Sequence, residues 1–120
     1  MLSIHVEKLG ELAVIDCKGR IVPSESVFKL RDVVMAQKTA RIIAVDLYDV
    51  DAIGGGALGM LAFLQRWASD RHIQLKLFSP SKSVMNALER TRSTLNFDIA
   101  TLHEMMTILS HADKRYALAA

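Results

Sequence analysis

The chain has one cysteine, Cys17, and two prolines in 120 residues. A single thiol cannot close an internal disulfide or build a thiolate metal cluster, so neither device holds this fold. Cys17 reads instead as a small buried strand residue. Long hydrophobic runs are missing too. The longest strongly apolar stretch, residues 57–64, falls far short of the about 20 residues that a bilayer span needs. The amino terminus, Met1-Leu2-Ser3-Ile4-His5-Val6-Glu7, has no basic region ahead of a long apolar one. It does not read as a signal peptide, which makes a cytoplasmic location the expectation. Charge of one sign is scarce: 15 Lys and Arg stand against 13 Asp and Glu, dispersed along the chain, and aromatics make up only 6%. A basic stripe with interleaved aromatics is therefore absent, and direct nucleic-acid binding is not expected.

What is present is the composition of a globular protein, 51% hydrophobic in short runs broken by polar residues. A chain of this length makes one domain with a core of its own. That domain is expected over residues 1–110, with 111–120 as a helical tail. Two β-rich runs, 2–6 and 12–17, flank Lys8-Leu9-Gly10-Glu11 and predict an antiparallel hairpin. Ser24 or Ser26 can cap a helix reaching Lys38, in which Val27, Leu30, Val33, Val34 and Gln37 follow a period near 3.6. Residues 41–47 form a continuous apolar run, the pattern of a central strand covered on both faces. Residues 48–53 then connect to an amphipathic helix over 57–69, with Leu58, Leu61, Ala62, Leu64 and Trp67 or Ala68 inward. Gln65, Arg66 and Asp70 face water.

Residues 73–78 alternate by two and predict a strand. Ser79-Pro80-Ser81 opens a helix with Val84, Met85 and Leu88 inward. Asn96-Phe97-Asp98 makes a short last strand. Thr101 caps a final helix carrying Leu102, Met105, Met106 and Leu109, with Glu104 in its first turn, where the helix dipole favours negative charge. The order β-β-α-β-α-β-α-β-α predicts a small α/β domain, a mixed sheet with about four helices.

The most telling segment is Asp46-Leu47-Tyr48-Asp49-Val50-Asp51-Ala52-Ile53-Gly54-Gly55-Gly56-Ala57-Leu58-Gly59, where three glycines strip side chains from a helix N-terminus. Free amides there favour an anion, or a partner that approaches the backbone closely. No group capable of acid–base or nucleophilic chemistry sits on the glycines, so the segment reads as a docking surface with no catalytic residues. Gly54, Gly56 and Gly59 also satisfy G-x-G-x-x-G, and Asp70 lies near the range of a ribose-binding acid. The connection expected over 48–53 separates them from the strand, however, and the chain is short for a dinucleotide fold.

Asp46, Asp49 and Asp51 could face one divalent ion, but three acids on one turn need not converge, and they read as solvated turn residues. His5, His72, His103 and His111 show no ligand spacing, so no metal site is expected. No serine has a G-x-S-x-G context. Met35, Met60, Met85, Met105 and Met106 read as core fillers. The chain is expected to be no enzyme and to need no cofactor.

The run from Val45 to Leu61 resembles the signature of STAS domains, the anti-sigma factor antagonist family, approximately D-L-S-G-V-x-x-I-D-S-S-G-L-G-x-L. Asp46, Leu47, Val50, Ile53, Leu58, Gly59 and Leu61 align without a gap. The likeness continues through residues 73–78, Ser79-Pro80-Ser81, Val84 and Leu88 to the end of the last helix. It implies a cytoplasmic module of bacterial partner-switching signalling, whose partner is an anti-sigma factor that doubles as a kinase. In that family the kinase phosphorylates a serine at the start of the second helix, and the added charge releases the partner. Here Gly54 aligns with the family's acid, Gly55 and Gly56 with its two hydroxyl positions, and Ala57 with its following glycine. The phosphoacceptor is missing, so Gly55 and Gly56 form a degenerate phosphosite that cannot gain the about −1.5 to −2 charge of a phosphate.

The implied partner-binding surface is Ser24 and Glu25 before the first helix, then Asp49, Asp51, Gly54, Gly55, Gly56 and Ala57. Two other readings stay open: a sensor whose free amides bind a nucleotide or phosphorylated metabolite, and a subunit of a lipid or anion transport system. Ser79, Ser81 and Ser83 stand in the loop and first turn before the third helix, where the fold should bring them near the glycines. They read as capping serines, or as a displaced phosphorylation site. The outer strand of the first hairpin could pair with a second copy in a homodimer.

Overall fold

The computed structural model describes residues 2–21, 25–90 and 97–112, the side chain of Glu25 excepted. Its elements are β1 (Leu2–Leu9), β2 (Leu12–Ile21), α1 (Glu25–Met35), β3 (Ile42–Ile53), α2 (Gly55–Asp70), β4 (Gln74–Phe78), α3 (Lys82–Arg90), β5 (Ile99–Ala100) and α4 (Leu102–Ala112). The strands form one sheet in the order β1-β2-β3-β4-β5, antiparallel between β1 and β2 and parallel elsewhere. Gly10, at φ +61°, lets the chain reverse between β1 and β2 within two residues.

Side-chain alternation divides this sheet into two unequal faces. Ala13, Ile15, Cys17, Ile43, Val45, Leu47, Leu75 and Leu77 face α1, α2 and α3 and build the main core with Leu30, Val34, Leu61, Leu64, Val84 and Leu88. The opposite face carries a smaller cluster of Leu12, Ala44, Ala100 and Met105, against which Ile108 and Leu109 of α4 pack. A single helix cannot cover that whole face. The acidic residues Glu7, Asp16 and Asp46 line a small cleft at its margin with Leu9, Val14, Phe78, Met105 and Leu109.

Several boundaries move. β1 and β2 run on to Leu9 and Ile21, beyond the expected 6 and 17, because each strand stabilises its neighbour through the shared ladder. α1 ends at Met35, short of Lys38. Gln37 is nonetheless buried, and its Nε2 donates to the Val33 carbonyl at 3.1 Å. The last strand is Ile99–Ala100, because those residues pair with Leu77 and Phe78. Of its expected residues, Phe97 packs against the core instead and Asn96 lies outside the described residues. Only the first half of β3 is covered on both faces, since Tyr48 is 71% exposed.

In α4, Met105 is buried as expected, but Leu102 and Met106 are exposed. Leu102 lines an open groove with Phe78, Met85 and Phe97. Thr101 does cap this helix. Its Oγ1 accepts the Glu104 N–H at 3.1 Å, and Glu104 Oε1 accepts the Thr101 N–H at 3.1 Å, a reciprocal capping box.

Candidate functional site

The strand that leads to the glycines is longer than its sequence suggests. β3 pairs with β2 as far as Ile53, so residues 48–53, expected as a connection, are strand. Two register shifts against β2 explain why they do not look like one. The first falls between Asp16 and Lys18 and the second between Gly19 and Arg20. At each of them β3 holds an extra residue, which breaks the period-two alternation and re-aims the side chains that follow. Asp49 and Asp51 come out exposed and Val50 is buried.

Gly54 follows at once as the N-cap of α2, at φ −89° and ψ 169°. Its N–H donates to the Ile21 carbonyl at 2.9 Å, which ties the junction to the end of β2. With no side chain, Gly54 supplies no acceptor for the first amides of the helix. Gly55 and Gly56 are helical, so the expected start at residue 57 comes two residues late. Ala57, expected in the docking surface, is buried at 0% exposure and belongs to the core. Ile21, the last residue of β2, pairs with Ile53 directly before this junction. Glu25 is the first residue of α1, and Ser24 lies outside the described residues.

The outer side of α2 carries a feature that the alignment of single residues hides. Gly55, Gly56, Gly59, Phe63 and Arg66 recur at helical spacing, and all are exposed, Phe63 by 50%. A Cβ built on Gly55 or Gly59 meets nothing within 4 Å among the described residues. The two positive-φ glycines are Gly10 and Gly19, so backbone conformation does not demand glycine on α2 either. Gly59 also decides the G-x-G-x-x-G question. The strand–helix context that seemed to fail is in fact met, but the third glycine of that fingerprint exists to let helix and strand pack closely. Gly59 points away from the sheet, and the fingerprint's packing role is empty.

Neither a metal-holding group of acids nor a reactive thiol is found among the described residues. Among the described residues no three His, Cys, Asp or Glu side chains converge in a metal-holding group. Asp46 Oδ1 accepts the Tyr48 N–H at 2.9 Å, while Asp49 and Asp51 lie further along the strand. Burial, followed by the charges of Asp16 and Asp46, pushes the Cys17 thiol up to about 12. It stays protonated at neutral pH and is not a nucleophile. The four histidines are exposed. His72 takes φ +59° in the turn before β4.

Asp16 sits directly across from Asp46 in the β2–β3 register. Burial raises its carboxyl from the usual 3.8, and the Asp46 charge and a hydrogen bond with that side chain raise it further; His5 opposes them. A carboxyl raised in the folded state binds its proton more tightly than in the unfolded chain. Its contribution is therefore fully favourable in acid, below 3.8, and is lost as pH rises through the folded-state value. Asp16→Asn is expected to stabilise the protein at pH 7 by about 0.2–1 kcal/mol, the size of a relieved like-charge cross-strand pair. Urea unfolding at pH 7 and in acid checks this: the gain should vanish at the lower pH, and an equal gain at both would count against it.

No protein-family model matches this sequence, and no curated protein matches it. Solved structures do. An anti-sigma factor antagonist from Mycobacterium paratuberculosis superposes with a TM-score of 0.75 at 17% identity, over 90% of this chain and 93% of that one. The fold is that of the STAS anti-sigma factor antagonists. RsbS of Moorella thermoacetica, in a variant with serine replaced by glutamate, gives 0.69 at 15% identity over 90% and 95%. The phosphorylated Bacillus cell fate determinant SpoIIAA gives 0.67 at 17% over 89% and 99%. At these identities the likeness is one of fold, and many functions share a fold. Among the described residues no helix is long and apolar enough to cross a membrane.

Proposed function

We propose that this chain is a non-enzymatic protein-binding module of a bacterial partner-switching pathway, and that it docks its partner on the outer side of the β3–α2 junction. The surface comprises Asp49, Asp51, Gly54, Gly55 and Gly56, together with Glu25 at the start of α1 and Ser24, which lies outside the described residues. It extends along α2 to Gly59, a position of the signature, and to Phe63, which the signature does not include. The partner is an anti-sigma factor or a related kinase-like signalling protein, as the STAS fold suggests. Since Gly55 and Gly56 hold no hydroxyl, the partner cannot be released by phosphorylation there, and the interaction is constitutive at this site.

The observation that carries this reading is the open space at Gly55 and Gly59. A glycine inside a helix costs about 0.5–1 kcal/mol relative to alanine. Nothing among the described residues makes use of the missing Cβ atoms. A partner backbone that comes close to α2 would use them, and half-exposed Phe63 offers an anchor beside that bare strip. Affinity purification from the native host tests it, run in parallel with wild type and Gly59→Trp. Wild type should recover an anti-sigma or kinase-like protein, and the variant should lose that protein while retaining its fold by circular dichroism. Identical recoveries from both would sink the reading.

A further inference from the structure

We propose that Ser81 and Ser83 are positioning residues for this docking surface, holding the distal half of β3 in the pose that α2 starts from. The proposal rests on the docking reading above and adds to it the part of the fold that sets the surface's shape.

β3 has a strand neighbour on both sides only as far as Asp46, which pairs with Phe78 at the end of β4. Beyond that point β2 still borders one flank of β3, and the place of β4 on the other flank is taken by the start of α3. Ser81 Oγ donates there to the Val50 carbonyl at 3.4 Å, and Ser83 Oγ donates to the Asp51 carbonyl at 3.2 Å. Asp51 is the residue that the second bulge takes out of register, for Gly19 pairs with Val50 and Arg20 with Ala52. Its carbonyl is thus held by a side chain where the ladder has slipped. Ser81 Oγ also accepts the Val84 N–H at 3.4 Å, so the same hydroxyl starts α3 and grips β3.

The turn that delivers these serines is itself constrained. Ser79 has φ +55°, a left-handed conformation that disfavours a residue with a side chain and persists only where its surroundings enforce it. The chain leaves β4 through that bend, and Ser81, just before α3, and Ser83, in its first turn, come to lie against Val50 and Asp51. Gly54 begins three residues after Asp51, held from the β2 side by Ile21. Removing the hydroxyls frees one flank of the strand that feeds the glycines and leaves the other flank paired.

Amide hydrogen exchange on the isolated protein reads this without any partner. Ser81→Ala with Ser83→Ala should speed exchange across residues 50–56 by on the order of tenfold, the worth of one or two lost hydrogen bonds, and leave Val45 and Leu77 unchanged. Ser81→Thr with Ser83→Thr keeps both hydroxyls and should restore the slow exchange. The alanine pair should also weaken the purified partner's affinity, and the threonine pair should recover it. Unchanged exchange at 50–56, a uniform rise throughout the protein, no rescue by threonine, or faster exchange with unaltered affinity would each overturn the proposal. Failure of the docking reading shows separately, as partner binding that survives Gly59→Trp.

Discussion

Replacing Gly55 and Gly59 together by alanine is expected to raise the free energy of unfolding by about 1 kcal/mol, and at the same time to weaken partner binding. The stabilisation follows from helix propensity, since glycine in a helix interior is about 0.8–1.0 kcal/mol worse than alanine. Most of the gain should come from Gly59, which lies within α2, and less from Gly55 at its first position. Among the described residues no steric term opposes either change, because the added methyl groups meet no atom within 4 Å. Urea unfolding measures the first effect and calorimetric titration with the purified partner the second. A stability gain with undiminished affinity would mean that α2's bare strip is not what the partner touches. A loss of stability would mean that the outward geometry of these glycines is wrong.

Leu61→Ala, on the opposite side of the same helix, is expected to cost about 2–5 kcal/mol of stability. Leu61 is 1% exposed and packs in the main core. Its loss leaves a cavity between α2 and the sheet that close-packed neighbours cannot fill. Against a net stability of about 5–15 kcal/mol, that is a large fraction. The contrast between residues 59 and 61 is the sharper test: adding a methyl outside should stabilise and removing side-chain volume inside should destabilise. Thermal unfolding of the two variants beside wild type decides it, and a Leu61→Ala midpoint equal to wild type would show that α2 does not seat on the core as described.

The sheet and its helices were readable because the two periods are strong where burial is one-sided. The alternation in 73–78 and the apolar spacing of Leu58, Leu61 and Leu64 each mark one buried face, and those faces are the ones the fold buries. Thr101 and Glu104 announced their helix because the capping box is local, made by residues three apart. Residues 48–53 were not readable as strand. Their bulges exist only by reference to β2, and a chain read by itself has no partner strand against which to count the extra residues. Leu102 and Met106 misled in the opposite direction. Their apolar character says nothing about how narrow the strip is that α4 rests on, since one helix shares that face of the sheet with Asp16 and Asp46.

The candidate site divides in the same way. The three glycines, and the lack of any hydroxyl among them, are facts of composition and order, and they alone exclude a phosphoacceptor at Gly55 and Gly56. Which way those glycines face could not be known without the helix they begin. Tertiary structure decided it by burying Ala57 and leaving Gly55 and Gly59 in open space, because helix orientation is set by the apolar side that must meet the sheet. It also decided that Ser81 and Ser83 touch Val50 and Asp51, residues more than thirty positions away. Local propensity specifies elements, but contacts between distant segments form only when hydrophobic burial has fixed the layers against each other.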